Sequence, residues 1–201
     1  MPMFTQRLAV ALALLVLFGT PAGAQNDLVA ALRGGGYVIV MRHAHSPAEP
    51  PAAGKADSDN TTGERQLDAA GKEQAQAIGR RLRSRGVPIG PVYSSPTFRA
   101  LQTARLMGFA KPQAHSELGD GGASMAVSAA GQAGTAWLKA KAAAAPPHGK
   151  DALIITHGPN IALAFGDGFK DMGDAEAAVF RPDGNGGFTL AGRIKPDGWG
   201  R

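Results

Sequence analysis

The 201-residue sequence contains no cysteine. A thiolate nucleophile, a zinc site built on thiolates and a disulfide framework are therefore excluded, and stability must come from a packed core. Aromatic residues make up only 6% of the chain, which leaves few rings on which nucleic-acid bases could stack. The apolar run at residues 8–18 is well short of the roughly 20 residues that a membrane-spanning helix needs.

The same apolar run has the features of a secretory signal peptide. Arg7 precedes it, and residues 22–24 (AGA) follow it with the small side chains of a cleavage site. We therefore expect a signal peptide at residues 1–24 and one domain over residues 25–201, since the chain is too short for two full cores. Export predicts a periplasmic or secreted protein with no membrane contact after cleavage. A retained membrane anchor is the alternative.

The formal net charge of +5 is modest. Much of it lies in a predicted helix that carries Arg80, Arg81, Arg83 and Arg85. We interpret this run as a solvated helix face, because nothing in it interleaves aromatic with basic residues as a nucleic-acid surface does. No nucleic-acid partner is predicted.

The strongest structural signal is the stretch YVIVMRHAHS at residues 37–46. Its first half is apolar and β-branched, which predicts a strand buried on both faces. Arg42, His43 and His45 follow at the carboxyl end of this strand. Ligands of open α/β sheets bind outside the carboxyl ends of the strands, and a guanidinium beside an imidazole suits an oxyanion. The stretch therefore indicates a phosphate site.

A second apolar strand, predicted at residues 152–156, ends in the same way. His157 follows it directly, and Gly158 and Pro159 then begin a helix that has Asn160 in its first turn. One histidine in such a place is usually structural. Two imidazoles at equivalent strand ends favour a shared functional site.

A third strand end supplies another arginine. The pattern predicts a helix over residues 68–85, a strand at 91–94, and a further helix with Ser95 as N-cap and Pro96 at its first position. Arg99 would then lie in the first turn, where the helix dipole disfavours a cation. We interpret this as an anion held jointly by backbone N–H groups and by Arg99.

Two loops and a hairpin complete the expected site and fold. Residues 46–62 lack apolar periodicity and leave directly from the proposed site, so we expect a mobile wall or lid. Glu117 and Asp120 lie in a glycine-rich loop, where a carboxylate can approach a ligand closely or simply form a turn. Residues 176–194 predict a closing hairpin at the sheet edge.

In combination, these motifs resemble the histidine phosphatase superfamily, the phosphoglycerate-mutase-like enzymes. Residues 42–44 (RHA) are similar to the family's Arg-His-Gly start and depart from it at the third position. Residues 94–104 (SSPTFRALQTA) match the second motif, residues 156–158 (THG) match the third, and residues 67–75 resemble the opening of the family's first long helix. The resemblance implies a three-layer α/β/α sandwich around a mixed, mostly parallel sheet.

The resemblance and the residue chemistry imply the same roles. A neutral His43 would attack phosphorus and form a phosphohistidine, while Arg42 and Arg99 hold the phosphoryl oxygens. A protonated His157 would add positive charge at the transferring group. No metal and no cofactor are required.

A carboxylic acid would protonate the leaving oxygen and later activate water. The family's placement of this group, two residues after a leucine, points to Asp120, with Glu117 as the fallback. Ser46 and Asn160 are expected to make secondary contacts with phosphate. The expected partner is a small phosphorylated substrate or a phosphoprotein, and the sequence specifies neither the ester nor the oligomeric state.

Two other classes of function compete with phosphatase chemistry. A non-enzymatic binder of a phosphorylated ligand would use the same arginines. A metal hydrolase would use the histidines at positions 43, 45, 115 and 157, but guanidiniums beside the ligands would repel a dication. Among enzymes, a hydrolase is favoured over a mutase, because the chain has little sequence beyond the core with which to shield a phosphohistidine from water.

Overall fold

Six strands form one mixed sheet in the computed structural model, which describes residues 21–120 and 129–200. The strands are β1 Val38–Arg42, β2 Ile89–Ser94, β3 Gln113–Ala114, β4 Asp151–Thr156, β5 Ala177–Pro182 and β6 Phe188–Ile194. The helices are α1 Pro21–Leu32, α2 Ala69–Ser84, α3 Phe98–Met107, α4 Ala129–Ala143 and α5 Gly158–Phe165. A short 3₁₀ turn covers Ser116–Leu118.

The strand order in space is β3-β2-β4-β1-β5-β6. The first four strands in this order pair in parallel, whereas β5 pairs antiparallel with both β1 and β6. The antiparallel pair β5 and β6 is the edge hairpin that the sequence predicted. Because β1 and β4 are parallel neighbours in the middle of the sheet, their carboxyl ends lie side by side.

Helices cover both faces of this sheet. Ile39 and Met41 of β1 pack into a cluster with α2 and α3, whereas Val38 and Val40 pack into a second cluster with α4 and α5. Successive strand side chains point to opposite faces, so a strand apolar at every position must be buried on both. The predicted three-layer α/β/α sandwich is confirmed.

Local signals fixed some helix ends correctly and others wrongly. Helix α2 begins at Ala69, next to the predicted residue 68, and Asp68 caps it, with its Oδ1 accepting a 2.8 Å hydrogen bond from the N–H of Gly71. Helix α3, however, begins at Phe98 rather than Pro96, and Thr97 takes the N-cap position. The expected cap, Ser95, is drawn instead into the site described below. Helix α1 begins at residue 21, inside the predicted leader.

The arginines of α2 are not simply solvated. Arg81 donates to the carbonyl of Pro196, and Arg83 donates to the carbonyls of Met107 and Gly108. A guanidinium can satisfy the free carbonyls at a helix end, which explains why Arg83 seals the end of α3. The interpretation of this run as a purely solvated face was therefore wrong for these two side chains.

The predicted signal peptide lies mostly outside the described residues. Residues 1–20 are not described, and residues 21–24 belong to helix α1. The leader and its cleavage therefore stay a prediction. Within residues 21–120 and 129–200, no helix combines the length and the apolar character needed to span a bilayer.

Candidate active site

His43 lies at the carboxyl end of β1, in the middle of the sheet. Its side chain is buried, and its Nδ1 lies 2.8 Å from the carbonyl oxygen of Ala44. A carbonyl only accepts, so Nδ1 carries the proton and Nε2 carries the lone pair. The backbone N–H of His43 donates to the carbonyl of Thr156 on β4, which fixes the residue between the two central strands. The geometry leaves Nε2 as a candidate nucleophile.

Arg99 connects three of the predicted site residues. Its side chain is buried, with Nε donating to Nε2 of His43 over 3.2 Å and Nη2 donating to Nδ1 of His157 over 3.2 Å. The same Nη2 also forms a salt bridge with the carboxylate of Asp120. One planar guanidinium thus touches the candidate nucleophile, the second histidine and the candidate acid.

His157 follows β4 and occupies the N-cap position of α5. Because its Nδ1 accepts from Arg99, its Nε2 carries the proton in the neutral ring and donates to the Oγ of Ser95 over 2.9 Å. The ring lies edge-on to that of His43, with 5.2 Å between the centroids. The hydroxyl of Ser95 thus bonds to His157 and to the N–H of Thr97, rather than to the first residues of α3.

Arg42, the last residue of β1, approaches His43 from another direction. Its Nη1 donates to the carbonyl of Met172 over 2.7 Å, and its Nη2 pairs with Oδ1 of Asp174 over 2.8 Å. About a third of the side chain is exposed, so a ligand can reach the guanidinium from solvent. The structure therefore brings both predicted arginines and both predicted histidines to one end of the sheet.

The charge environment keeps both imidazoles neutral at physiological pH. Burial, together with the charges of Arg99 and Arg42, lowers the pKa of His43 to about 4. Burial, Arg99 and His43 lower the pKa of His157 to about 3. A neutral His43 fits the nucleophile predicted from the sequence. The expectation of a protonated His157 does not fit this surrounding of cations, although a phosphoryl dianion placed there would raise its pKa.

The two candidate acids have different surroundings. The carboxylate of Asp120 reaches Arg99, and about a third of its side chain is exposed. The carboxylate of Glu117 turns instead to the hydroxyl of Ser116 and lies 3.9 Å from Nδ1 of His115. The geometry thus places Asp120 against the central guanidinium and Glu117 away from it.

The two predicted secondary phosphate contacts are engaged in other bonds. Nδ2 of Asn160 donates to the carbonyls of Leu118 and Gly119, which uses both of its amide hydrogens. These bonds place Asn160 in support of the loop that carries Asp120, and its contact with phosphate stays a prediction. The hydroxyl of Ser46 donates to the carbonyl of Pro47, and its contact with phosphate stays a prediction.

The N-terminus of α3 holds a carboxylate of the protein. Oε2 of Glu64 accepts a 3.0 Å hydrogen bond from the N–H of Phe98, the first residue of the helix. The sequence analysis assigned this position to a bound anion held together with Arg99. That interpretation was wrong for the backbone N–H, which binds the carboxylate of Glu64. The physical reason is the same for a bound anion and for Glu64, because the positive end of a helix favours a negative group.

The loop after β1 is tied down along its second half. Asp57 accepts from Lys72 over 2.8 Å and also from the amide of Gln102, and Asp59 pairs with Arg105. These bonds oppose mobility in residues 57–62 of the predicted lid at residues 46–62, whereas a role of the loop as a wall stays a prediction.

Two of the four histidines of the rival metal site, His45 and His115, are engaged in other contacts. His45 pairs with Asp68 over 2.9 Å, and His115 stacks against Trp137 and Tyr93. Within the described ranges, no group of three or more His, Cys, Asp or Glu residues is arranged to hold a metal ion. These two side chains thus serve local contacts.

Three residues near the site were missed by the sequence analysis: Glu64, Arg65 and Asp174. Arg65 donates to the carbonyls of Ser46 and Pro47, and its charge is near enough to lower the pKa of both Arg99 and His157. None of the three follows a predicted strand or belongs to a quoted motif. Only the packing of their loops brings them to the sheet end.

The sequence model of the histidine phosphatase superfamily (branch 1) matches residues 38–120. This range contains Arg42, His43, Arg99 and Asp120, whereas His157 and Asp174 lie beyond it. No curated protein matches the chain.

Several solved structures share the fold. The protein histidine phosphatase SixA, solved with tungstate, is 23% identical, with a TM-score of 0.55 over 80% of this chain and 97% of SixA. A SixA from Agrobacterium tumefaciens is 17% identical, with a TM-score of 0.55 over 80% of this chain and 99% of its own. A phosphoserine phosphatase from Entamoeba histolytica is 14% identical, with a TM-score of 0.52 over 81% of this chain and 98% of its own.

Proposed function

We propose that the chain is a member of the histidine phosphatase superfamily, whose sequence model matches residues 38–120, and that it hydrolyses a phosphomonoester through a phosphohistidine intermediate on His43. The observation that carries the proposal is the state of that imidazole. Its Nδ1 proton is donated to a carbonyl, its Nε2 lone pair is turned toward Arg99, and Arg42 lies close enough to lower its pKa. A neutral nucleophile beside two guanidiniums is what attack on a phosphoryl group needs.

In the first chemical step, the lone pair on Nε2 of His43 forms a bond to phosphorus while the ester P–O bond breaks. The leaving oxygen takes a proton from Asp120, which must enter the step as the carboxylic acid. Arg42 and Arg99 hold the non-bridging oxygens, whose negative charge is greatest in the transition state. The Nδ1–H of His43 stays on the carbonyl of Ala44 and keeps the ring in the reactive tautomer.

In the second step, a water oxygen attacks phosphorus and the P–N bond breaks. The carboxylate of Asp120, left by the first step, takes the proton of that water. Inorganic phosphate and an alcohol are the products, and His43 returns to its neutral form. No metal enters these steps, since the guanidiniums supply the positive charge.

We further propose that the substrate is a small phosphate ester or a phosphorylated protein. Two of the similar folds are described as SixA, one of them a protein histidine phosphatase, and another as a phosphoserine phosphatase. Those descriptions support a phosphorylated substrate without choosing between the two classes. The leader pattern at residues 1–24 supports export, so a periplasmic or secreted location is part of the proposal.

The proposal is tested by turnover of 4-nitrophenyl phosphate and by trapping the intermediate. We expect His43→Ala to abolish turnover and to prevent labelling by a radioactive phosphodonor, because the nucleophile is gone. His148→Ala is the matched control, since His148 is exposed in the loop before β4. The label on the wild-type chain should be acid-labile and stable to base, as a phosphoramidate is.

The rival functions give different results in the same experiment. A non-enzymatic binder would bind phosphate without turnover and without a trapped phosphoenzyme. A metal hydrolase would lose activity in the presence of a chelator, whereas the proposed enzyme would not. Unchanged turnover of 4-nitrophenyl phosphate by His43→Ala would refute the proposal.

A further inference from the structure

One short segment, residues 172–176, makes four hydrogen bonds to the dipeptide Arg42-His43. The carbonyl of Met172 and the carboxylate of Asp174 accept from the two terminal nitrogens of Arg42. The remaining two bonds are between backbones: the N–H of residue 175 donates to the carbonyl of His43, and the carbonyl of residue 176 accepts from the N–H of Arg42. The segment therefore holds both the main chain and the side chain at the proposed nucleophile.

The centre of this segment has a strained backbone. Ala175 has φ of +55°, and within the described ranges it is the one residue other than glycine with a positive φ. A residue with a Cβ adopts this conformation rarely, and such strain persists only where the surroundings fix it, commonly at functional sites. Ala175 is fully buried, and its N–H bond to His43 is one of those constraints.

The segment is also anchored from behind. The buried carboxylate of Glu176 accepts from the N–H of Gly173 over 2.9 Å and pairs with Arg193 over 2.7 Å. Arg193 in turn donates to the carbonyl of Gly168 and pairs with Asp171. The two bonds made by Glu176 give Asp174 a fixed base from which its carboxylate can orient the side chain of Arg42.

We propose that Asp174 is a positioning residue, an inference that rests on the proposed function. Asp174 fixes the plane of the Arg42 guanidinium, so that the free N–H groups of Arg42 meet the phosphoryl oxygens. With Nη1 held by Met172 and Nη2 by Asp174, the guanidinium is ordered before the substrate binds. A preordered donor costs no reorganisation in the transition state. The part of the chain matched by the family model ends at residue 120, so Asp174 lies outside it.

Asp174 also acts on His43 through its charge. The charged or titratable groups around that imidazole are Arg42, Arg99, His157, Asp120 and Asp174, and the charges of Glu64 and Arg65 act on its neighbour Arg99. The negative charge of Asp174 raises the pKa of His43, whereas the two arginines lower it. Removing the charge at position 174 should therefore lower the pKa of His43, which can be measured without any turnover.

The test compares Asp174→Asn, Asp174→Ala and the control Asp171→Asn. Asp171 lies in the same part of the chain, but its carboxylate is mostly exposed and pairs with Arg193 rather than Arg42. For 4-nitrophenyl phosphate, we expect kcat to fall about 10-fold in Asp174→Asn and about 100-fold in Asp174→Ala, with KM changed by less than about threefold. Asp171→Asn should keep kcat within about twofold.

Binding of orthovanadate separates positioning from a simple charge effect. Vanadate adopts a five-coordinate geometry on an attacking nitrogen, so its affinity reports the fit of Arg42 to the transition state. If Asp174 only neutralised charge, its removal would tighten anion binding. The proposal predicts the opposite, a dissociation constant at least about 10-fold larger in Asp174→Ala.

The outcomes are distinguishable from failure of the proposed function. Wild-type kcat in both Asp174 variants, or tighter vanadate binding in Asp174→Ala, overturns the positioning role. An activity loss that only follows a loss of folded protein, measured by circular dichroism, overturns it as well. If the wild-type chain hydrolyses no phosphate ester, the proposed function fails, and vanadate affinity and the NMR-detected pKa of His43 still decide the role of Asp174.

Discussion

Nε of Arg99 donates a hydrogen bond to Nε2 of His43 over 3.2 Å. The lone pair that must attack phosphorus is therefore covered by the group that must hold the phosphoryl oxygens. The same guanidinium contacts His157 and Asp120. A phosphoryl group that enters between Arg99 and His43 would meet the nucleophile, one cation and the candidate acid at once.

The first prediction concerns the shape of the Arg99 guanidinium. Arg99→Lys keeps the charge but cannot place donors toward His43, His157 and Asp120 together. We expect kcat/KM for 4-nitrophenyl phosphate to fall about 10²- to 10³-fold, as for loss of a preorganised transition-state donor.

Arg105→Lys is the matched control for this substitution. Arg105 lies on the same helix, is half exposed and pairs with Asp59 at the surface. Its replacement should leave kcat/KM within about twofold, since exposed ion pairs contribute little. Equal losses of kcat/KM in the two variants would show that the losses come from a disturbed helix α3 rather than from the missing Arg99 guanidinium.

The second prediction is the pH dependence of the reaction. Because burial and the two arginines lower the pKa of His43 to about 4, the nucleophile is neutral above that pH and becomes protonated below it. We expect kcat/KM to fall as the pH drops through about 4, with no loss from His43 between about pH 5 and 8. Initial rates at constant ionic strength measure this, and circular dichroism at each pH checks for unfolding. An acid limb near the ordinary histidine value of about 6.5 would contradict the described environment.

Much of the site could be predicted because local patterns encode it. Residues 37–41 and 152–156 are apolar at successive positions, which fixes them as buried strands and so fixes where Arg42, His43 and His157 must lie. The carboxyl ends of parallel strands meet at one sheet edge, so convergence of these side chains followed from the class of fold.

The residues that sequence analysis missed depend on contacts between distant parts of the chain. Asp174 meets Arg42 across more than a hundred intervening residues, and Glu64 caps a helix that begins at Phe98. No periodicity marks such pairs. The predicted start of α3 at Pro96 was wrong for a related reason, because the Ser95 hydroxyl bonds to the distant His157 and to the N–H of Thr97 rather than to the first residues of α3.

The third prediction separates the two candidate acids. Protonation of the leaving oxygen matters for an alkoxide and little for a nitrophenolate, which is a stable anion. We expect Asp120→Asn to lower kcat for an alkyl phosphate at least about 100-fold and for 4-nitrophenyl phosphate by less than about 10-fold. Glu117→Gln should leave both within about twofold, because its carboxylate turns to Ser116 and His115. The reverse pattern would assign the acid to Glu117.

The fourth prediction concerns stability at the opposite end of the sheet. Asp151 begins β4 and is fully buried; its Oδ1 accepts from the N–H of Tyr37, and its Oδ2 has no hydrogen-bond partner among the described residues. Burial raises the pKa of this carboxyl from 3.8 to about 6. The folded state therefore binds the proton more tightly than the unfolded state, so the stability contributed by this proton is present below about pH 4 and is lost as the pH rises through about 6.

Asp151→Asn should remove this dependence, since the amide keeps an acceptor for Tyr37 and carries no charge. Near neutral pH we expect the variant to gain on the order of 1 to 3 kcal/mol relative to wild type, or roughly 2 to 4 °C in Tm for each kcal/mol, and to gain little near pH 4. Thermal unfolding at both pH values measures the difference. Asp167→Asn is the control, because its exposed carboxylate pairs with Lys170 at the surface. Equal destabilisation by Asp151→Asn at both pH values would contradict this prediction. It would show that the charged carboxylate of Asp151 stabilises the fold by anchoring Tyr37, and that its raised pKa does not limit stability.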